Sequence, residues 1–208
     1  MLWRKNELLL APELCLRYRE IILSARFFQY GSGRIFFTVA GSGFITMSNQ
    51  PYRTALVTGA SSGIGAAIVR RLSEAGIEVH ALARDAKRLA QLAEETGCIP
   101  HALSVSDVAG IEALMNEIEV DVLVNNAGQS RTGNITNTTV DDIDALVDVN
   151  LRAVLQLTRL VVPGMIARDR GHIVNISSIA GHYAFAGGNT VYHATKAGVH
   201  SLSQQLRC

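Results

Sequence analysis

The sequence predicts an α/β fold in which helices cover both faces of one parallel sheet, the doubly wound arrangement. From Thr54 onward, short β-branched and aliphatic runs alternate with longer runs that have helical spacing. Strands that alternate with helices form parallel sheets, because each crossover returns the chain to the same end of the sheet. A glycine-rich turn also joins the first of these strands to the first helix.

Five strands and five helices are predicted in alternation. The strands are "TALVTG" (54–59), "EVHALA" (78–83), "IPHALSV" (99–105), "VDVLVNNAG" (120–128) and "GHIVNISS" (171–178). The helices are expected at 65–76 and 85–97, from Ser106 or Asp107 to about 119, at 139–168, and from about 191 onward. Gly76 ends the first helix, and Thr139 with Asp142 resembles a capping box for the fourth.

Composition excludes several classes of function. The chain has 208 residues, enough for one domain with a large core, and its formal charge is +1, so a surface that binds nucleic acid is not expected. Three scattered cysteines, Cys15, Cys98 and Cys208, form no CxxC pair, which argues against a disulfide scaffold and a zinc site. We therefore expect a cytoplasmic protein without a metal.

The first 46 residues differ from the rest of the chain. The apolar run "ELLLAPELCL" (7–16) is interrupted by Pro12 and Glu13 and is too short to span a membrane. The segment 31–47 resembles a weak strand between glycine clusters. Because "MSNQPYRTALVTGA" (47–60) reads as a polar lead-in to a buried strand, we predict a poorly ordered N-terminal extension over 1–46 and a domain over 47–208.

The turn "TGASSGIG" (58–65) has the composition of a phosphate-binding loop. Glycine adopts backbone conformations closed to other residues and lets a phosphate approach the main chain. The helix that follows directs unpaired N–H groups at such a phosphate. The residues predicted to bind it are Gly59, Ser61, Ser62, Gly63, Ile64 and Gly65. A tight strand-to-helix connection without a ligand is the alternative.

The stretch "VYHATK" (191–196) places a phenol and an ammonium four positions apart, on one face of a helix. A tyrosine with an ordinary pKa of about 10 is a poor base at pH 7. A nearby lysine ammonium favours the phenolate, so that Tyr192 beside Lys196 could exchange a proton with a substrate oxygen. The alternative is a half-buried packing tyrosine beside a lysine.

Five motifs, in this order, resemble the short-chain dehydrogenase/reductase family. They are "TGASSGIG" (58–65), "NNAG" (125–128), "VN" (149–150), "ISS" (176–178) and "YHATK" (192–196). The resemblance covers about 52–208 and implies a Rossmann-like sheet that binds a nicotinamide dinucleotide without a metal. It implies that 47–208 is the dinucleotide-binding catalytic domain, truncated before the last strands of the family fold, with an uncovered sheet edge. It also implies a homodimer or homotetramer.

The resemblance assigns roles to individual residues. It implies that Tyr192 exchanges a proton with the substrate, that Ser178 hydrogen-bonds the same oxygen, and that Asn150 holds a water linking Lys196 to solvent. Ser177 stays open as an alternative to Ser178, because the loop up to Tyr192 is one residue longer than is common in the family.

Further residues are expected along the cofactor. Ser104 or the main chain of Val105 could hydrogen-bond the adenine. Asn126, Ala127 and Gly128 line the ribose side by the same resemblance, and Lys196 contacts the nicotinamide ribose. Asn125 is expected to tie adjacent strands together.

The residues after the second strand bear on the choice of cofactor. Family members that use NAD have an acid at the position of Ala83, and Arg84 follows here. A guanidinium can bind the 2′-phosphate of NADP with two charge-assisted hydrogen bonds. We therefore expect NADP(H) rather than NAD. Asp85 beside Arg84, and Ser62 where many NADP-preferring relatives have a basic residue, weigh against this.

Together these residues predict an oxidoreductase that transfers a hydride between NADP(H) and a small-molecule carbonyl or secondary alcohol. Two alternatives stay open. One is a dinucleotide-binding module without turnover, and the other is an inactive truncated fragment.

Overall fold

A computed structural model describes residues 22–24, 52–131, 133–183 and 189–207. Its strands are β1 (Ile22–Ser24), β2 (Thr54–Thr58), β3 (Glu78–Ala83), β4 (Ile99–Ala102), β5 (Val122–Asn125) and β6 (His172–Asn175). Its helices are α1 (Gly63–Glu74), α2 (Ala86–Thr96), α3 (Val108–Glu117), α4 (Val140–Val147), α5 (Ala153–Ala167) and α6 (Thr190–Gln205). The strands form one parallel sheet in the order β1-β6-β5-β2-β3-β4.

The sheet is covered by helices on both faces, as the sequence predicts. Successive side chains of a strand point to opposite faces, and β2 is apolar on both. Ala55 and Val57 pack against Val69 of α1 on one face. Leu56 packs against Leu157 of α5 on the other. The doubly wound, Rossmann-like fold is therefore confirmed, with the five predicted strands in the predicted order and their ends shifted by up to three residues.

The helix predicted over 139–168 is interrupted by a π turn. Residues Asp148–Arg152 form this wider turn between α4 and α5. A π turn contains one more residue than an α turn, and nothing in the apolar spacing marks it. At the start of α4 the hydroxyl of Thr139 accepts the Asp142 N–H at 3.1 Å. The Asp142 carboxylate does not complete a capping box, because it pairs with Arg131 at 3.0 Å.

The sheet edge at β6 is covered over three residues by the N-terminal segment. Ile22, Leu23 and Ser24 pair in parallel register with 173–175. The expectation of an uncovered edge is therefore wrong for this part of the strand, because the backbone of β1 pairs with that of β6. The other residues of 1–46, with the weak strand predicted at 31–47, lie outside the described residues, and the boundary at Met47 stays a prediction.

Asp121 anchors the N-terminal ends of three strands. It is 2% exposed, and its carboxylate accepts the Arg53 N–H at 2.8 Å and Arg170 Nε at 3.0 Å. Its main-chain N–H donates to the carbonyl of Thr54 at the start of β2, and its carbonyl accepts the N–H of His172 at the start of β6. Burial alone would raise the pKa of Asp121, but the hydrogen bonds from Arg53 and Arg170 outweigh burial and lower it. The buried carboxylate therefore stays ionised and joins the strands.

We expect Asp121→Asn to lower the free energy of unfolding by about 2 to 3 kcal/mol at neutral pH, because an amide NH2 group would face the donors of Arg53 and Arg170. The folded-state pKa lies below the unfolded value of about 3.9. The carboxylate's contribution to the free energy of unfolding is therefore complete above the unfolded-state pKa. It is lost as the pH falls through the folded-state pKa.

Urea unfolding at a series of pH values measures this effect. The difference between wild type and variant should narrow in acid. The exposed Asp144→Asn is the control and should change the free energy of unfolding by less than about 0.5 kcal/mol. A difference that does not depend on pH would contradict the assignment.

Candidate active site

The glycine turn between β2 and α1 fits a phosphate group. Gly59 and Gly63 have positive φ angles of 65° and 55°. A Cβ at Gly59 would lie 2.8 Å from the Ala127 Cα, and a Cβ at Gly65 would press on the Gly59 carbonyl oxygen. A Cβ at Gly63 would meet no atom within 4 Å. The turn is therefore packed closely on the side of the loop after β5 and open at Gly63.

The N-terminus of α1 strengthens this site. Ser62 precedes the helix with an extended backbone, and its side chain makes no capping hydrogen bond. The first turn of α1 contains no acidic residue. Its first N–H groups and the positive end of the helix dipole therefore suit an anion. Ser61 and Ile64 are half-buried in the same turn.

Thr58 and Asn126 hold the glycine turn against the loop after β5. The Thr58 hydroxyl donates to the Val124 carbonyl at 3.2 Å and accepts the N–H groups of Asn126 and Ala127, each at 3.0 Å. The Asn126 amide donates to the carbonyls of Thr58 and Gly59 at 2.9 and 3.2 Å. The Asn126 amide nitrogen is thus used within the protein, and any contact with a ribose is left to its oxygen or main chain. The motifs gave no role to Thr58.

Arg84 and Asp85 follow β3, and their side chains differ in what they contact. Arg84 is exposed, and no described residue forms an ion pair or hydrogen bond with its guanidinium. The Asp85 carboxylate caps α2, since it accepts the Arg88 N–H at 3.0 Å and lies 3.4 Å from Arg88 Nε. The acid is therefore engaged by the helix start and by Arg88, and the guanidinium of Arg84 is available for an anion.

The turn after β4 holds Ser104 and Val105. The Ser104 hydroxyl accepts the Ser106 N–H at 3.3 Å, and its carbonyl accepts the Asp107 N–H at 3.0 Å. Val105 is buried in the core. Because the strands are parallel, this turn lies at the same carboxyl edge of the sheet as the glycine turn and Arg84.

Tyr192 and Lys196 come together on α6. Asn189 caps the helix and accepts the Tyr192 N–H at 2.7 Å. Lys196 is 5% exposed, and its Nζ donates to the Ile176 carbonyl at 2.9 Å. The same Nζ lies 5.8 Å from the centroid of the Tyr192 ring. Burial lowers the pKa of Lys196, so this ammonium gives up its proton more readily than an exposed one.

The two serine hydroxyls after β6 differ in what they bind. The Ser177 hydroxyl donates to the Lys196 carbonyl at 3.2 Å. The Ser178 oxygen accepts the Ala180 N–H at 3.2 Å and caps the short 3₁₀ turn Ile179–Gly181. Among the described residues, no acceptor takes the Ser178 hydroxyl proton. This geometry favours Ser178 over Ser177 as a donor to a substrate.

Asn150 lies in the π turn and is completely buried. Its Oδ1 accepts the Gln129 N–H at 2.8 Å, and its Nδ2 donates to the Gln129 carbonyl at 2.8 Å. Nδ2 also lies 3.3 Å from the Thr195 hydroxyl, which donates to the Tyr192 carbonyl at 2.8 Å. Asn150 is thereby linked to the helix that carries Tyr192. Gln129 and Thr195 were not predicted, because their partners are distant in the sequence.

Gly128 borders both Asn150 and Lys196. A Cβ built at Gly128 would lie 3.5 Å from Asn150 Oδ1 and 3.5 Å from Lys196 Nζ. Gly128 is itself exposed. The Asn150 Oδ1 and Lys196 Nζ atoms therefore both lie beside the position that a side chain at Gly128 would occupy.

A chain of buried polar groups fixes α6 to the sheet. Asn125 Nδ2 donates to Asn175 Oδ1 at 2.8 Å, and Asn175 Nδ2 donates to the Ser203 hydroxyl at 2.9 Å. The Ser203 hydroxyl donates to the Val199 carbonyl at 2.7 Å. Asn125 thus ties adjacent strands together, and the same chain of bonds continues to the helix of Tyr192 and Lys196.

Within the described ranges, no three His, Cys, Asp or Glu side chains are placed to hold a metal ion. None of the described helices is long and apolar enough to cross a membrane. The candidate site combines the glycine turn at the start of α1, the exposed guanidinium of Arg84 and the group of Tyr192, Lys196 and Ser178.

A family model described as short chain dehydrogenase matches residues 53–208. The chain belongs to the short-chain dehydrogenase/reductase family. The NADP-dependent 3-hydroxy acid dehydrogenase YdfG of Salmonella typhi is 42% identical over 160 residues, which are 73% of this chain and 64% of that enzyme. The chain thus spans less than two thirds of the length of this curated relative.

Solved structures of the family share the fold. A metagenomic short-chain oxidoreductase in complex with NADP is 39% identical, with a TM-score of 0.71 over 74% of each chain. A 3-oxoacyl-[acyl-carrier protein] reductase with bound NAD from Brucella melitensis is 31% identical, with a TM-score of 0.72 over 77% of this chain and 66% of that one. Because these two relatives bind different dinucleotides, family membership alone does not choose the cofactor.

We expect Lys196→Met to raise the free energy of unfolding by about 1 kcal/mol at neutral pH in the absence of cofactor, since burial of the ammonium costs more than its one hydrogen bond returns. The folded-state pKa lies below the unfolded value of about 10.4, so between the two values the unfolded chain binds more protons. The stability of the wild type therefore rises with pH in that window.

Thermal or urea unfolding at neutral and alkaline pH measures the change. The gain of the variant over the wild type should shrink as the pH approaches the ordinary lysine value. The exposed Lys87→Met is the matched control and should show neither effect. A variant that is less stable than the wild type at neutral pH would show that the ammonium is not a net cost.

Proposed function

We propose that the protein is an NADP(H)-dependent oxidoreductase that transfers a hydride between the cofactor and the carbon of a carbonyl or secondary alcohol. One observation carries the proposal. Lys196 is buried beside Tyr192 on α6, and the turn after β6 that bonds Lys196 through Ser177 also carries Ser178, whose hydroxyl proton has no acceptor among the described groups. Because the YdfG relative is a 3-hydroxy acid dehydrogenase, 3-hydroxy acids are one substrate class to test.

The carboxyl edge of the sheet fits a nicotinamide dinucleotide phosphate. The open side of the turn at Gly63 and the uncapped start of α1 suit the bridging phosphates. The free guanidinium of Arg84 suits a 2′-phosphate, and Asp85 does not oppose it because its carboxylate pairs with Arg88. When bound, the cofactor supplies or accepts the hydride. Relatives described as NADP-dependent or solved with NADP support this choice.

The protein's own groups would handle the proton. Tyr192 exchanges a proton with the substrate oxygen, and the buried Lys196 ammonium lies beside its ring on the same helix. Ser178 donates a hydrogen bond to the same oxygen and stabilises the charge that grows there. A water beside Gly128 would touch both Asn150 and Lys196, which gives the lysine a route to solvent.

A dinucleotide-binding module without turnover is the second candidate, because the glycine turn and the uncapped start of α1 suit a dinucleotide independently of Tyr192. Calorimetry with NADPH and NADH, followed by assays with 3-hydroxy acids, secondary alcohols and ketones, tests both. Binding with turnover supports the oxidoreductase, and binding without turnover supports the module. A chain that shows no cofactor binding and no cooperative melt would be an inactive fragment. We also propose that the protein forms a homodimer or homotetramer and is cytoplasmic.

We expect Arg84→Ser to weaken binding of NADPH by about 10 to 100-fold and to leave binding of NADH unchanged, because only the 2′-phosphate loses its charge-assisted hydrogen bonds. Calorimetry with both cofactors measures the effect. Arg71→Ser removes an exposed arginine that pairs with Glu74 on α1 and is the matched control. An equal loss for both cofactors, or a wild type that prefers NADH, would contradict the assignment.

We expect Tyr192→Phe to lower kcat by at least about 100-fold without changing the affinity for NADPH, because the ring stays and only the exchangeable proton is lost. Steady-state turnover and cofactor titration on the same preparation measure both quantities. Tyr52→Phe is the control for loss of a phenol hydroxyl, because Tyr52 lies two residues before β2, at the other end of that strand from the glycine turn. Wild-type turnover in Tyr192→Phe would remove this tyrosine from the mechanism.

A further inference from the structure

Gln129 contacts the last turn of α4 and the π turn that follows it. Its main chain forms two hydrogen bonds with the side chain of Asn150, each at 2.8 Å. Its side-chain Nε2 donates to the Ala145 carbonyl at 2.6 Å. The π-type hydrogen bond of this turn joins the Ala153 N–H to the Asp148 carbonyl, and Ala145 lies three residues before Asp148, in the last turn of α4. Gln129 thus joins the end of α4 to a residue within the π turn.

The Ala145 carbonyl lies where the helix ladder is weakened. The Asp148 N–H is shared between the carbonyl oxygens of Asp144 and Ala145. A shared donor satisfies each acceptor less fully than a donor of its own. The Gln129 amide supplies Ala145 with a second, short hydrogen bond from outside the helix. Gln129 is half-buried, so water has limited access to the Ala145 carbonyl, and the amide takes the place of a water donor there.

The π turn determines where Asn150 points. An α turn is the usual form of a helix, and single π turns occur rarely and often at functional sites. Conversion of Asp148–Arg152 to an α turn would rotate Asn150 about the helix axis by up to about 100°, the angle of one residue. The Asn150 amide would then leave the main chain of Gln129 and the hydroxyl of Thr195.

We propose that Gln129 is a positioning residue. Its side-chain amide holds the π turn and so directs Asn150 towards Thr195 and towards Lys196 Nζ beside Gly128. Thr195 bonds the Tyr192 carbonyl, so the contact continues to the helix of the proposed proton donor. The effect on catalysis rests on the proposed function, whereas the effect on the π turn does not.

Amide hydrogen exchange tests the effect on the turn. Gln129→Met keeps the length of the side chain and removes its donor. We expect the Gln129 N–H, which bonds Asn150, to exchange at least about tenfold faster in this variant. Gln156→Met is the matched control, because Gln156 is also half-buried and its Nε2 lies 3.5 Å from the Val108 carbonyl, away from the π turn. It should leave exchange at Gln129 unchanged.

Turnover tests the effect on catalysis. We expect Gln129→Met to lower kcat by about tenfold with the same KM and the same NADPH affinity, because a displaced relay group affects the chemical step. Gln129→Glu can donate to Ala145 only when protonated. Its kcat relative to the wild type at each pH should therefore recover in acid, whereas a merely structural loss would give one ratio at all pH values.

The outcomes separate the two proposals. Wild-type exchange at Gln129 in the Met variant would overturn the role of the amide in holding the turn. Faster exchange with unchanged kcat would overturn its role in catalysis. A wild type without turnover refutes the proposed function, and the exchange measurement alone then decides the inference. If Gln129→Met does not fold, exchange in Gln129→Glu above and below its carboxyl pKa decides the same question.

Discussion

A buried ammonium is the feature around which the active-site region is organised. Lys196 has lost most of its contact with water, and its Nζ is satisfied by the Ile176 carbonyl just after β6. Such a group is unfavourable for stability and is retained only where the surrounding structure compensates. The Ser177 hydroxyl binds the Lys196 carbonyl, and Gly181 has no Cβ that would press on that same oxygen. The turn after β6 and α6 therefore form one closely packed unit.

The position of α6 is fixed at both ends and in the middle. Asn189 caps its first turn, and the polar chain from Asn125 through Asn175 reaches Ser203 near its last. Between them, Thr195 contacts Asn150 of the π turn. Each of these groups is buried, and a buried polar group without its partner costs free energy, so the helix has little freedom to slide. Tyr192 and Lys196, which this helix carries, therefore keep their relative positions without help from a ligand.

The glycine turn at the other end of the candidate site depends on side chains and a helix cap that are missing there. Missing side chains at Gly59 and Gly65 allow the turn to pack against the loop after β5. A missing cap at Ser62 leaves the start of α1 open to an anion. The charge at Arg84 is available because Asp85 is held by α2 and Arg88. Both ends meet at one edge of the sheet because parallel strands all end there.

The sequence by itself determined the features that depend on neighbouring residues. Strand and helix order follow from local apolar spacing, the glycine turn from backbone freedom, and the Tyr192–Lys196 pair from helical periodicity. Only the tertiary structure decided the rest: the π turn, the bonds of Gln129 and Thr58, the different partners of the Ser177 and Ser178 hydroxyls, and the pairing of β1 with β6. These contacts join residues far apart in the chain, or depend on which hydroxyl already has a partner. No local pattern contains that information, because it arises only when the strands and helices pack together.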